Sequence, residues 1–443
     1  MNPKRMKPSL DRGKRYLIIG NSAAGIAAAK EIRRYDLRGQ ITIISDEPSF
    51  GYSRVLLPLY IAGKIRQREM LIAPKDFYPP LGLRLLRNDP VVAIDPKGQR
   101  VDTRAGTDLP YDSLLVATGS SPRTLGIPGE NLPGIHYLRK ISDAQAIRKD
   151  LSSSRGAVLL VGGGLVGVKS LEAFVGKKKK VHLVISSDRV LSQMLDKAAS
   201  DLFLESFRRK GVNVHLLTDV TGFRGKDRLE GALLSDGTAL PCSLAIIGKG
   251  VRPNVDLLKG TGVNLNQGIT VDQHMATNLP CLYAAGDVAE SADLLRGRNM
   301  GNAIWPLAVE GGRVAGSNMA SAPAVFSGGI RMNAVDALGT RVVSVGEWEG
   351  EQQVQYFRKE NSVYRKLVFS RGRLTGFLLA GDIRGAGILT SFIKNGTELS
   401  PSVLEENLER GFSFSPRLQV LGGARNLKDS NLLSLPRKPE SIM

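Results

Sequence analysis

The sequence predicts an α/β protein with two dinucleotide-binding units of the Rossmann kind, followed by a small C-terminal α+β domain. Three observations carry that prediction. A glycine-rich turn follows directly on a short apolar strand near the start. The same plan returns about 140 residues later, and from about residue 330 the texture changes to segments that read as antiparallel strands. One glycine turn alone would be weak grounds; two in one chain imply two dinucleotide sites.

The first unit opens with the apolar run RYLIIG, ending at Gly20, continues through the helical stretch AAGIAAAKEIRRY, and closes with the strand QITIISDE. Its turn is Gly20-Asn21-Ser22-Ala23-Ala24-Gly25, with serine at the middle glycine position. Gly20 lets the chain turn sharply off the strand. Ser22 is small enough for backbone amides to approach a pyrophosphate, and Gly25 permits close helix–strand packing. The phosphates then face the positive end of the helix. Asp46 and Glu47 end the second strand, where a ribose-binding carboxylate is wanted.

The second unit repeats the plan as AVLLVGGG, LVGVKSLEAFVGK and KKVHLVI, with the intact turn Gly162-Gly163-Gly164-Leu165-Val166-Gly167. Here the acid is missing. The strand ends at Ile185 and runs into Ser186-Ser187-Asp188-Arg189, so selection for a free ribose 2′-hydroxyl is weakened and the choice between NADH and NADPH stays open. Arg189 and the run Lys177–Lys180 are candidates for a 2′-phosphate, although a solvated helix-to-strand loop is the preferred account of the lysines.

The C-terminal part follows from TRVVSVGEWE and VYRKLVFSRGRLTGFLLAG, strand pairs around short turns, and then from GAGILTSFIKNG and SPSVLEENLERG, which read as short helices. The tail 416–443 is basic, rich in Leu, Asn, Ser and Pro, and is expected to be loosely ordered.

At 443 residues the chain is too long for one compact core, and its 42% hydrophobic and 23% charged content is that of a globular protein. The formal charge of +19 suits an acidic partner steered by electrostatics as well as it suits a merely solvated surface. No nucleic-acid-binding module accompanies it. Cys242 and Cys281 are the only cysteines and form no CxxC pair, and the four histidines are scattered, so no metal site is expected. Both cysteines end buried-strand patterns and read as small hydrophobes. The basic start carries only the short apolar run YLII, too short for a signal segment or a membrane span, and the cytoplasm is the default compartment.

The order of first turn, Ala117-Thr118-Gly119, second turn, GVRPN beginning at Gly250, and Gly286-Asp287 resembles the FAD/NAD(P) pyridine nucleotide-disulfide oxidoreductase family, whose fold is glutathione-reductase-like. The resemblance implies that the first turn holds FAD and the second NAD(P)H, with Asp287 on the ribityl-pyrophosphate region. It also implies an NAD(P) domain (121–248) inserted in an FAD domain (14–120 and 249–325), then a C-terminal domain (326–415).

Within the family, Tyr52–Gly63 resembles the NADH/FAD region of nitrite reductase large subunits and, more distantly, NADH:rubredoxin and ferredoxin reductases. Arg54 matches their flavin-contacting arginine. Val55 stands where the NADH oxidase and CoA-disulfide reductase branch carries a redox cysteine, which disfavours thiol chemistry. Trp305 falls where the family brings a helix against the flavin; core packing is the competing account. Many relatives have a glutamate two positions after the third glycine of the second turn. This chain has Lys169, a candidate cation beside the flavin, with Glu172 one turn on.

The resemblance thus implies a reductase passing electrons from NAD(P)H through FAD to a rubredoxin- or ferredoxin-like protein without a redox disulfide. A reductase of dioxygen, quinone or another small acceptor, and a slow flavoprotein that gates partner binding, are the alternatives. Nothing downstream resembles a sirohaem or iron–sulfur module, so nitrite reduction by this chain alone is not expected. A homodimer through the C-terminal domain is common among such relatives; the sequence itself is silent on it.

Overall fold

The computed structural model describes residues 13–410 and Phe412, apart from 178, 359, 361 and 400. The N-terminal arm and the basic tail lie outside the described residues, as does the second lysine of the 177–180 run.

Five parallel strands form the first sheet, in the order Leu282–Ala284, Ser113–Val116, Arg15–Ile19, Gln40–Ser45, Leu83–Arg87. Its central strands are near-continuous apolar runs because helices and loops cover both faces. The helix Ala23–Tyr35 leaves the Arg15–Ile19 strand through the first glycine turn and presents a face of alanines. That face lies against the helix Trp305–Met319, whose Gly312 and Gly316 have no room for a side chain: a Cβ at either would run into the carbonyl oxygen of Ala24 or Ala28. Small residues on both helices thus allow backbone to approach backbone.

The second sheet is also parallel, in the order Ile135–Tyr137, Leu244–Ile247, Val158–Val161, Val181–Val184, Val212–His215. It lies wholly in the sequence between two parts of the first sheet. The chain passes between the two at Ser120–Pro122 and again at Val251–Pro253, and these two crossings pair as antiparallel strands.

The C-terminal sheet is antiparallel, ordered Met332–Ala337, Thr340–Gly346, Arg373–Ala380, Val363–Ser370, Gln352–Arg358. One face is covered by the expected helices, Ala386–Asn395 and Pro401–Arg410, through Leu389, Phe392, Leu404 and Leu408. The other face shares a core with the helices of the second unit: Val335, Ala337 and Tyr364 pack in one cluster with Val168, Phe174 and Phe203.

The cysteines divide. Cys242 is buried and burial pushes its thiol up to about 12, as a structural cysteine requires. Cys281, expected to be buried, is exposed. It precedes the strand Leu282–Ala284 with φ of 60°, and this left-handed turn keeps its carbonyl on the Leu114 amide while the thiol faces solvent.

Candidate flavin cleft and nucleotide turn

A cleft of ≈ 650 Å³ opens at the C-terminal end of the first sheet, the end at which open α/β sheets bind ligands. Gly20, Ser22, Ala23 and Ala24 line it from the first turn, and Asp46, Glu47 and Arg54 from the far side. Ala117, Thr118 and Gly119 form another wall, with Gly286, Asp287 and Trp305 opposite. Gly25 does not reach the cleft. It is buried below, where a Cβ would strike the Gly20 carbonyl oxygen, so its role is helix packing.

Local structure explains the convergence. Gly20 has φ of 125° and its Cα faces the Ala117 carbonyl, a backbone arrangement closed to other residues. Ser22 caps the helix Ala23–Tyr35 without spending its hydroxyl on it, and no acid stands in the first turn, so the positive helix end is left for an anion. Thr118 and Asn254 exchange hydrogen bonds of 2.9 Å, side chain to carbonyl in both directions, which ties the ATG wall to the second crossing strand.

Glu47 and Asp46, adjacent in sequence, have different surroundings. Glu47 is 7% exposed and accepts from Arg54 Nη2 at 2.6 Å and from the Tyr52 hydroxyl at 2.7 Å. Arg54 also donates through Nη1 to Tyr52 Oη (3.0 Å) and to the Arg139 carbonyl (2.9 Å). Burial works against the Arg54 charge, but Tyr52 and Glu47 outweigh it and hold the guanidinium above its ordinary value. Burial also raises the Tyr52 phenol, with Glu47 adding to it against Arg54. Asp46 is half exposed and pairs with Lys140 at 2.6 Å. Across the cleft, Asp287 Oδ2 accepts from Ser120 Oγ and Arg139 Nη2, both at 2.8 Å.

Tyr52, Ser120, Arg139 and Lys140 were not singled out by sequence. The pair Arg139-Lys140 directly before the helix Ile141–Ser153 was the available signal, because two cations there leave the helix start charged. Asp143 accepts from both of their amides, which fixes them at the rim. Asn21, within the first turn, also reaches the cleft. Its Oδ1 accepts from Tyr78 at 2.9 Å, and its buried Nδ2 on the cleft wall has no protein partner.

The second turn repeats the backbone logic. Gly162 has φ of 109° and faces the Gly248 carbonyl, Gly167 packs under Gly162, and Gly164 caps the helix Leu165–Val175. Val166 packs toward Gly248, and Leu165 is 41% exposed at the head of the helix. Gly250 has φ of 89° and its carbonyl accepts from the Arg123 amide. Ile185 is buried against Gly163, and Ser186 accepts from Lys249 Nζ at 3.2 Å. Arg189 donates through Nη1 to Asp188 at 2.9 Å and through Nε to the Leu195 carbonyl at 3.2 Å.

Lys169 lies elsewhere than expected. Its Nζ donates to the Asp336 carbonyl at 2.7 Å, in the C-terminal sheet, and it does not line the cleft. Among the described residues no group of three or more His, Cys, Asp or Glu is arranged to hold a metal, and no helix is long and apolar enough to cross a membrane.

Residues 14–312 match the pyridine nucleotide-disulphide oxidoreductase family, and residues 332–397 match the rubredoxin NAD+ reductase C-terminal domain. The chain belongs to the pyridine nucleotide-disulphide oxidoreductase family. It is therefore an NAD(P)H-dependent flavoprotein oxidoreductase with FAD as cofactor, as the order of motifs implied. The epsilon subunit of the NADH-dependent phenylglyoxylate dehydrogenase of Aromatoleum evansii is 32% identical over 395 residues, 87% of this chain and 93% of that subunit. The NAD(P)H nitrite reductase of Bacillus subtilis is 28% identical over 392 residues; the match takes in 87% of this chain and 48% of the relative, so this family member spans about half of that enzyme. A crystal structure of a ferredoxin reductase from Rhodopseudomonas palustris superposes with a TM-score of 0.82 at 25% identity, covering 88% of this chain and 96% of that one.

Proposed function

We propose that this chain draws hydride from NAD(P)H into FAD and delivers the electrons to a small acidic redox protein of the rubredoxin or ferredoxin kind, with no thiol relay. FAD, when bound, supplies the acceptance of hydride and its onward release as electrons. The cleft residues fit that cofactor. The orphaned Asn21 Nδ2 is a donor in need of an acceptor, and the helix end at Ser22 suits a pyrophosphate. Glu47, Asp46 and Asp287 are assigned to its hydroxyl groups, and Arg54 and Arg139 to its negative charge.

Arg54 is held at three points, by the Glu47 carboxylate, the Tyr52 hydroxyl and the Arg139 carbonyl, so its charge is fixed in place before any ligand arrives. A preorganised cation of this kind favours negative charge in the cleft at no cost of reorganisation. Trp305 and Ala308 line one wall with apolar surface. Gly162, Gly164, Leu165, Val166, Gly167, Ser186, Arg189 and Gly250 are assigned to NAD(P)H. No acid–base residue is needed, because hydride carries its electron pair with it.

Val55 carries the assignment of the acceptor. It lines the cleft, is 63% exposed and stands where a thiol would be required for disulfide chemistry, so the way out is an open apolar edge flanked by Arg54. An acidic partner suits the charge of +19. The test is reoxidation of the reduced enzyme by an acidic ferredoxin or rubredoxin. Its second-order rate is expected to fall at least about tenfold as salt rises from low to physiological strength. Faster, salt-independent reoxidation by dioxygen or a quinone would assign a small-molecule acceptor instead.

A further inference from the structure

Glu172 joins three parts of the molecule. It lies one turn after Lys169 on the second-turn helix, Leu165–Val175. Its Oε2 meets Lys64 Nζ at 2.5 Å, and its Oε1 accepts from the Leu338 amide at 3.3 Å. Lys64 follows the short helix Leu57–Ala62, whose approach carries Arg54 and Val55 on the flavin cleft. Leu338 is the tip of the hairpin between Met332–Ala337 and Thr340–Gly346 in the C-terminal sheet.

That tip is strained. Leu338 has φ of 51° and Gly339 of 90°, the mirror-image turn that hairpin twist favours but that a leucine seldom occupies. Such a residue persists where its surroundings over-determine it. Here they do: its amide goes to Glu172, its carbonyl accepts from Ser206 Oγ at 3.0 Å, and its side chain packs into the core of the second unit. Lys169 adds a fourth tie to the neighbouring Asp336 carbonyl. An ion pair with Lys64 55% exposed contributes little to stability, so the value of this clasp lies in geometry.

We propose that Glu172 is a positioning residue for hydride transfer. Through Lys64 and the Leu338 turn it fixes the helix that begins at the nucleotide turn against the segment bearing Arg54 and Val55, and so sets how closely the nicotinamide approaches the flavin. This rests on the assignment of the two sites made above. A misplacement of about 1 Å at such a site costs on the order of a hundredfold in rate, whereas binding far from the displaced edge is little affected.

The test uses the FAD-loaded enzyme with Glu172→Ala, Lys64→Met and Lys64→Arg. Under anaerobic single turnover, Glu172→Ala is expected to slow flavin reduction at least about tenfold, with a larger primary isotope effect from deuterated nucleotide. Half-saturation is expected to move less than about threefold, and bound FAD to stay unchanged. Lys64→Met follows in the same direction, and Lys64→Arg restores the rate. Without any nucleotide, hydrogen exchange over residues 332–346 is expected to speed up in Glu172→Ala. Wild-type rates with an unchanged isotope effect, or a rate lost only in proportion to lost FAD, would overturn the proposal. If the wild-type flavin is not reduced by either nucleotide, the assigned function fails on its own account; unchanged exchange in the hairpin then separately overturns the clasp.

Discussion

The two glycine-turn units share one backbone plan and differ in what ends their second strand. After Gln40–Ser45 come Asp46 and Glu47, and both are pinned, by Lys140 and by Arg54 with Tyr52. After Val181–Val184 comes Ile185, buried against Gly163, and then two serines. Both turns lead into a helix start without a side-chain cap, but only the first adds a closed network of charge around it. A network of this kind suits a resident ligand, and an apolar strand end suits one that exchanges. That is the division expected between cofactor and nucleotide substrate.

The largest effect should come from the turns themselves. Gly20→Ala places a side chain against the Ala117 carbonyl at a left-handed φ and is expected to cost at least about 2 kcal/mol and the bound FAD. Gly162→Ala meets the Gly248 carbonyl in the same way, but should leave a yellow protein with NAD(P)H affinity lowered at least about tenfold. Flavin content and nucleotide titration of the two variants check this; loss of FAD in both would show that the two turns do not divide cofactor from nucleotide.

Next come the strand ends. Glu47→Ala leaves the Arg54 guanidinium and Tyr52 hydroxyl without their acceptor, and should destabilise by about 3 kcal/mol and release FAD. Ile185→Ala removes only apolar packing, about 2 kcal/mol, with FAD retained. Thermal unfolding together with flavin release on dialysis separates the two.

A smaller difference concerns acid. In the second sheet His182 is buried and contacts His215 at 3.0 Å, whereas Thr42 holds the matching place in the first. Burial, then His215 and Lys180, lower the His182 imidazole from 6.5 to about 4. Its folded pKa lies below its unfolded one, so the unfolded chain binds the proton more tightly. The stability is present above about 6.5 and is lost as pH falls from there toward about 4. His182→Gln should flatten the melting temperature across that window; an unchanged acid slope would place the sensitivity elsewhere. Least affected of all should be the reaction after thiol alkylation. Cys281 alone is exposed to reagent, neither cysteine lines the cleft, and the rate of flavin reduction should change less than about twofold.

Residues whose role is local backbone geometry were legible in the sequence. Gly20 and Gly162 announce themselves because a turn after an apolar strand admits few residue types, whereas Asp287 was reached only through the family resemblance. Residues whose role depends on a distant partner were not. Arg139 reaches Asp287 across 148 positions, and although the cation pair before its helix marks Arg139, nothing local names its partner. Lys169 was expected at the flavin because relatives carry a glutamate at its position, and that position does not reveal that its ammonium donates to the Asp336 carbonyl of another sheet. Cys281 resembles Cys242 in its flanking residues, and a single left-handed φ separates an exposed thiol from a buried one.

The two units work together only if the first unit's cofactor is reduced by the second unit's nucleotide. Anaerobic mixing of the FAD-loaded protein with NADH and, separately, NADPH, followed through the flavin's visible absorbance, tests this directly. Bleaching in a single fast phase, faster than about one per second with at least one nucleotide, is the predicted result. A flavin that stays oxidised in the presence of both nucleotides would contradict it, and would leave a flavoprotein whose two glycine turns do not work together.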